Sequence, residues 1–226
     1  MSQPLLPLLV LAAGYLLGSL PTGWLAGRWL AGIDLRQLGS GSTGATNVLR
    51  QLGKGPALVV FLVDLLKGTA TVLLAKALLQ PGGGFTPSTD WWVVAAGLAA
   101  LAGHSWPVWL GWKGGKAVAT GLGMLLGLVP AVGLACFGTF LACLALSRIV
   151  SLSSVVAALS LPLLMLAAFA GAGTGVRPAY LALALLTTAL VVWRHRSNLQ
   201  RLMAGEEPRL GQKTLPEDPT GGPNRR

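Results

Sequence analysis

Three short polar segments hold most of the residues able to do chemistry in this 226-residue chain. The first reads Leu38-Gly39-Ser40-Gly41-Ser42-Thr43-Gly44-Ala45-Thr46-Asn47-Val48-Leu49-Arg50. Small and hydroxyl residues let a backbone come close to a ligand and leave N–H groups for an anion. Arg50 closes it with a planar fork suited to phosphate or carboxylate. The second is Gly103-His104-Ser105-Trp106-Pro107 with Gly111-Trp112-Lys113-Gly114-Gly115-Lys116, opening a helix at Ala117. Glycines ahead of a helix N-terminus, with two lysines, suit an anion through free N–H groups, the helix dipole and mobile ammonium groups. It is not a Walker loop, because the required spacing and preceding strand are missing. The third is Arg194-His195-Arg196-Ser197-Asn198-Leu199-Gln200-Arg201, then Gly205-Glu206-Glu207-Pro208. On a continuing helix His195 and Asn198 share a face, and the flanking arginines favour a neutral imidazole. Each segment alone also reads plainly, as a flexible loop, a juxtamembrane lysine pair, or a basic helix end among lipid head groups.

What positions these segments is a bilayer. The chain is 53% hydrophobic and 11% charged, with net charge +10, where soluble domains carry about 25% charged residues. That balance excludes a soluble domain, a secreted enzyme and a disordered chain. The apolar runs are continuous and lack the period-2 alternation of an outer-membrane barrel. They predict helical spans at about 5–24, 56–79, 91–110, 117–128, 130–146, 152–170 and 178–193. The first run has no basic residue before it and Arg28 after it, so it reads as an uncleaved span with the N-terminus outside. Splitting 117–146 at Pro130 places Arg28, Arg36, Arg50, Lys54, Lys113, Lys116, Arg148 and the basic residues from Arg194 onward on one side. The expected fold is an all-α integral membrane protein, a seven-helix transmembrane bundle with a periplasmic N-terminus and a cytoplasmic C-terminus. Residues 1–210 form one domain and 211–226 a mobile cytoplasmic tail. All three chemical segments then face the cytoplasm.

Inside the second span, Asp64 and Lys67 are three residues apart. A lone charge at the bilayer centre costs on the order of 3 kcal/mol, so mutual pairing explains them, and shaping the site from below is the alternative. Gly14/Gly18, Gly23/Gly27 and Gly123/Gly127 have the spacing of close helix contacts. Cys136 and Cys143 lie roughly 10 Å apart along one helix, too far for a disulfide. No carboxylate cluster suits Mg²⁺, which disfavours a metal-dependent phosphotransferase. A pore or carrier would place polar residues along the spans, and these are nearly bare.

Gly18-Ser19-Leu20-Pro21-Thr22-Gly23, the Gly39–Arg50 loop, Asp64-Leu65-Leu66-Lys67-Gly68, Gly103-His104, Lys113-Gly114-Gly115-Lys116-Ala117-Val118-Ala119-Thr120 and Arg194–Arg201 follow one another in order. This string resembles the bacterial acyl-phosphate:glycerol-3-phosphate acyltransferase family over nearly the whole chain to about Leu210. The resemblance implies transfer of a fatty acyl group from acyl phosphate to the 1-hydroxyl of glycerol 3-phosphate, giving lysophosphatidic acid and inorganic phosphate in phospholipid synthesis. An acyl phosphate is a mixed anhydride with a good leaving group, so the resemblance implies no cofactor and no metal. It points to Ser40, Arg50, His195 and Asn198 as catalytic residues. Gly41, Thr46, Asn47, His104, Lys113, Gly114, Gly115, Lys116 and Ser153 are implied as substrate-binding, and Asp64, Lys67 and Glu207 as structural. The implied setting is the bacterial inner membrane, multi-pass, with a cytoplasmic site. Its implied partners are the lipid bilayer and a soluble phosphate acyltransferase that supplies the donor, with no nucleic acid. Ser42, Ala117 and Glu206 depart from the family's usual Asn, Gly and Thr. A membrane carrier for a phosphorylated solute is the alternative.

Overall fold

The computed structural model describes residues 5–80, 86–173, 175 and 177–212. Among the described residues ten α-helices and two 3-10 turns follow in order: α1 Leu5–Gly18, α2 Thr22–Ala31, the turn Leu35–Gln37, α3 Ala45–Leu52, α4 Lys54–Leu79, α5 Pro87–Ser105, the turn Val108–Leu110, α6 Val118–Leu128, α7 Pro130–Ser147, α8 Val150–Gly171, α9 Pro178–Arg194 and α10 Arg196–Met203. No strand occurs among the described residues. Prolines at the starts of α5, α7 and α9 fit the first helical turn, where no intrahelical N–H is needed.

Five stretches among the described residues are long and apolar enough to cross a membrane: 5–31, 54–79, 87–110, 130–147 and 150–171. A sixth arises if α9 and α10, bent by 56°, form one span. The expected first span, 5–24, is not one straight helix. Pro21 removes a backbone donor and interrupts it over Ser19–Pro21. The expected third span stops at Ser105, because Pro107 ends its helix. The expected span 117–128 is α6, whose 11 residues rise only about 16 Å, half a hydrocarbon core of about 30 Å. Most of the expected tail lies outside the described residues, from 213 onward.

α4 and α6 run side by side in the same direction. A Cβ on Gly123 would overlap the Leu65 carbonyl, and Gly127 faces Thr69 and Val72. α6 therefore accompanies only the second half of α4, and the loop before it enters the bundle at the level of Asp64. A buried apolar core of Val72, Val93, Leu101, Met124, Leu161, Met165 and Leu183 holds α4, α5, α6, α8 and α9 together. A smaller one, Leu35, Val48, Ala57 and Val60, docks α3 on α4.

Candidate active site

The three polar segments converge on one cleft of about 760 Å³. Ser40, Ser42, Thr46 and Arg50 enter it from the α3 region, Asp64 from α4 and His104 from α5. Lys116 comes from the loop before α6, Ser151 and Ser154 from α8, and His195, Asn198 and Glu207 from the C-terminal segment.

The first loop holds its shape through Asn47. Its Nδ2 donates to the carbonyls of Leu35 (3.0 Å), Leu38 (3.0 Å) and Ser42 (2.9 Å), and its Oδ1 accepts from the Ser40 amide at 3.3 Å. Asn47 lines the cleft, and these hydrogen bonds brace the loop. Gly41 sits in the same loop with φ +65° and is not among the residues lining the cleft. Asp34 pins the loop's base, receiving Arg36 at 2.7 Å and Arg28 at 3.3 Å. The Arg36 guanidinium holds that carboxyl well below the usual range. Arg36 also donates to the Leu110 carbonyl at 3.0 Å, tying the first segment to the second. Arg50 is half-buried at the cleft and makes no hydrogen bond among the described residues, while burial lowers its pKa.

The second segment differs from its sequence reading. The Gly114 amide donates to the Ser105 carbonyl (3.2 Å) and the Gly115 amide to that of His104 (3.0 Å), so neither N–H is free for an anion. Arg194 donates to the carbonyls of Gly114 (3.2 Å) and Gly115 (2.7 Å) from the other side. These glycines are a strap, held because their partners are the last two residues of α5. Lys113 is exposed and off the cleft, because Gly114 turns the chain inward only after it. Lys116 alone brings a charge to the cleft from this segment. Its ammonium bonds Asn198 Oδ1, and burial first, then Arg201, Arg194 and Arg50, lower its pKa to about 8 against the pull of Glu207.

The third segment is a bend followed by a returning strap. His195 caps α9, and its Nδ1 lies 2.8 Å from the Val191 carbonyl. A carbonyl can only accept, so Nδ1 carries the proton and Nε2 keeps a lone pair. Burial, then Lys116, lower its pKa to about 4, leaving it neutral at pH 7. Asn198 Nδ2 donates to Glu207 Oε1 at 2.7 Å, Ser151 Oγ to the same oxygen at 2.7 Å, and Arg201 Nε to Oε2 at 2.9 Å. Burial raises the Glu207 pKa, but these three donors together outweigh it and leave the carboxyl below its ordinary value. The Leu210 amide closes the strap on the Arg148 carbonyl at 2.7 Å.

Ser153, expected among the binding residues, is buried off the cleft and donates to the Ile149 carbonyl at 2.9 Å. α8 starts at Val150, and that register turns Ser151 and Ser154 to the cleft, three residues apart. Helix phase is the signal that separates them from Ser153. Asp64 and Lys67 pair at 2.6 Å as expected, and Asp64 also forms part of the cleft wall. Among the described residues no three His, Cys, Asp or Glu side chains converge as metal ligands.

Sequence reading does not anticipate a second, apolar cleft of about 600 Å³ between α4, α6, α7, α8 and α9. Leu122, Leu125, Phe137 and Leu161 line it, and it shares Phe61, Ala117, Val118, Ala119, Phe140 and Ser154 with the polar cleft. The two clefts therefore meet at one waist.

Residues 8–205 match the family model described as glycerol-3-phosphate acyltransferase. A glycerol-3-phosphate acyltransferase of Prochlorococcus marinus (strain MIT 9313) is 70% identical over 207 residues, covering 92% of this chain and 96% of that protein. One of Synechococcus sp. (strain CC9902) is 65% identical over 206 residues, covering 91% and 96%. Among solved structures, the integral membrane glycerol 3-phosphate acyltransferase PlsY in its glycerol 3-phosphate form superposes with a TM-score of 0.81 at 39% identity. The match covers 91% of this chain and 96% of that one. The lysophosphatidic acid form of PlsY gives a TM-score of 0.78 at 38% identity, covering 91% and 95%.

Proposed function

The chain belongs to the glycerol-3-phosphate acyltransferase family, and on that premise we propose that it takes its acyl group from an acyl phosphate. Its acceptor would be the 1-hydroxyl of glycerol 3-phosphate, with lysophosphatidic acid and inorganic phosphate as products. The observation that carries this reading is the meeting of the clefts. One is lined by Arg50, Lys116, His195 and serine hydroxyls and suits anions; the other is apolar and suits an acyl chain. A reacting carbonyl between a phosphate and an acyl chain belongs at their shared waist. The solved relatives carry a glycerol phosphate and its acylated product by description, which supports the same acceptor and product here.

In this reading Arg50 and Lys116 hold phosphates as charge-assisted partners. Ser40, Thr46 and Asn198 orient substrate oxygens, and Ser154 stands at the waist. Asn47, Gly41, Gly114 and Gly115 shape the walls, and Asp64, Lys67 and Glu207 hold them in place. The acceptor hydroxyl attacks the acyl carbonyl carbon, the bond to the phosphate oxygen breaks, and the hydroxyl proton leaves to His195 Nε2 or to a substrate phosphate. The acyl phosphate needs no protein nucleophile, because its leaving group is already activated.

The same reading sets the protein in a bacterial inner membrane. It crosses seven times from an outside N-terminus, the loop before α6 supplying the depth that helix lacks. The site faces the cytoplasm, where Arg28, Arg36, Lys54, Lys113 and Arg148 gather by the positive-inside rule. A soluble phosphate acyltransferase would supply the donor there. The test uses purified protein in lipid with palmitoyl phosphate, glycerol 3-phosphate and EDTA. Phosphate and lysophosphatidic acid appearing one to one support the reading. Flux of glycerol phosphate into sealed vesicles without covalent change would replace it with a carrier.

A further inference from the structure

In the wall of the cleft lies a buried cluster that connects to the phosphate-suited cations through a single imidazole ring. Asp64 Oδ1 is 2.6 Å from Lys67 Nζ, accepts from Thr22 Oγ1 at 3.2 Å and lies 3.7 Å from His104 Nδ1. Lys67 in turn donates to the carbonyls of Leu20 (2.8 Å) and Gly18 (3.4 Å), where α1 breaks. The cluster thus fastens the α1–α2 break to α4 and to the end of α5. The opposite edge of the His104 ring rests on Gly115 so closely that a Cβ there would overlap Nε2. The His104 carbonyl takes the Gly115 amide, and Arg194 grips the same peptide from the far side. Lys116 is the next residue.

We propose that His104 is a positioning residue, a wedge between Asp64 and the Gly114–Gly115 strap that sets where the Lys116 ammonium meets a substrate phosphate. This rests on the reading of Lys116 as a phosphate partner. One ring edge faces a carboxylate and the other faces a glycine Cα, so the imidazole is fixed on both sides. Lys116 has no helix of its own to place it, and the strap it follows is anchored by His104 on one side and Arg194 on the other. Moving the strap moves the ammonium, and misplacement by about 1 Å can cost on the order of 100-fold.

The experiment is steady-state kinetics of the full-length protein in lipid, varying each substrate, across pH. Lys116→Ala is expected to raise one of the two KM values. His104→Ala should raise that same KM, by about tenfold or more, with a smaller fall in kcat and an unchanged shape of the kcat–pH profile. His104→Gln should recover part of the loss. Gly115→Ala should raise the same KM, and adding it to His104→Ala should cost little more, because the ring it would strike is gone. If His104→Ala does not fold, His104→Gln and Gly115→Ala carry the test. Loss of a limb of the kcat–pH profile with KM unchanged overturns the proposal in favour of proton transfer by His104. An unchanged KM in both His104 and Gly115 variants overturns it outright. Lys116→Ala that moves neither KM sinks the site reading itself, and this inference with it.

Discussion

The two ends of the bundle hold similar polar residues and use them in opposite ways. At the end where α4 finishes, Lys76 donates to the carbonyls of Gly127 (2.7 Å) and Leu128 (3.1 Å), closing the C-terminus of α6. Beside it Asp90 receives Gln80 at 3.4 Å and Arg177 at 3.3 Å. Every one of these donors meets a protein acceptor, and the cluster joins the ends of α4 and α6 to the starts of α5 and α9, which Pro87 and Pro178 begin. At the other end Arg50 has no hydrogen bond among the described residues, His195 keeps a lone pair, and Lys116 shares one amide oxygen. Cations do not make a site by being gathered. Cations whose bonding capacity the fold leaves unspent, facing a cleft, do.

The sharpest way to break that contrast is to delete one cation at each end. Arg50→Ala should lower kcat/KM by about 100-fold or more, on the order of losing one charged transition-state partner, while the melting temperature stays near that of the parent. Lys76→Met should do the reverse. It leaves two α6 carbonyls unmet and costs about 1–3 kcal/mol of stability, while the activity of each folded molecule is retained. Kinetics and thermal melting on both variants would decide it. A large activity loss from Lys76→Met with normal melting would abolish the distinction.

How much of this is legible in the sequence follows from what each residue's partners are. Helices are legible because apolar runs between Gly, Pro and charged residues need no distant partner to be read, and Pro130 with the charge pattern separates α6 from α7. The break at Ser19–Pro21 is hidden, because the run stays apolar across Pro21. The convergence of the three segments is legible because each carries anion-suited residues. The Gly114 and Gly115 amides look free in the sequence because their acceptors, the carbonyls of Ser105 and His104, lie nine and eleven residues upstream, where no spacing rule points. Ser153 cannot be told from Ser151 and Ser154 until the start of α8 fixes the helix phase. The waist with Phe61 and Phe140 is invisible, since phenylalanines in apolar spans look like any core.

Two pH dependences sharpen the same comparison with smaller effects. Lys116 in the free protein loses its proton as pH rises through about 8, so kcat/KM should decline above that point, approaching about tenfold per pH unit if the ammonium is essential. Lys116→Arg should remove that limb if the guanidinium reaches the same phosphate. Because the folded pKa lies below the ordinary 10.5, the unfolded chain holds more protons between the two values, and stability rises with pH there. Glu207 gives the same sign in an acid window. Its folded pKa is depressed below 4.5, so its contribution is complete above the unfolded value and lost as pH falls through the folded one. Melting temperature should drop in that acid window for the parent and more weakly for Glu207→Gln. A parent curve parallel to the variant's would remove Glu207 from the strap.

The smallest expected effect concerns the residue that joins strap to helix. Ala117 has φ +58° at the N-cap of α6 and is buried at the waist. A Cβ in the left-handed region costs roughly 1–2 kcal/mol. Ala117→Gly should relieve that strain and lose part of the gain to a freer unfolded chain, leaving a net stabilisation below about 1 kcal/mol. The same methyl narrows the waist through which an acyl group meets a phosphate. A wider waist should therefore change relative rates with bulky acyl phosphates more than with straight ones, and a competition assay between the two donors reads it. Stability rising without any change in that ratio would assign Ala117 to the backbone alone and leave the waist to Phe61 and Phe140.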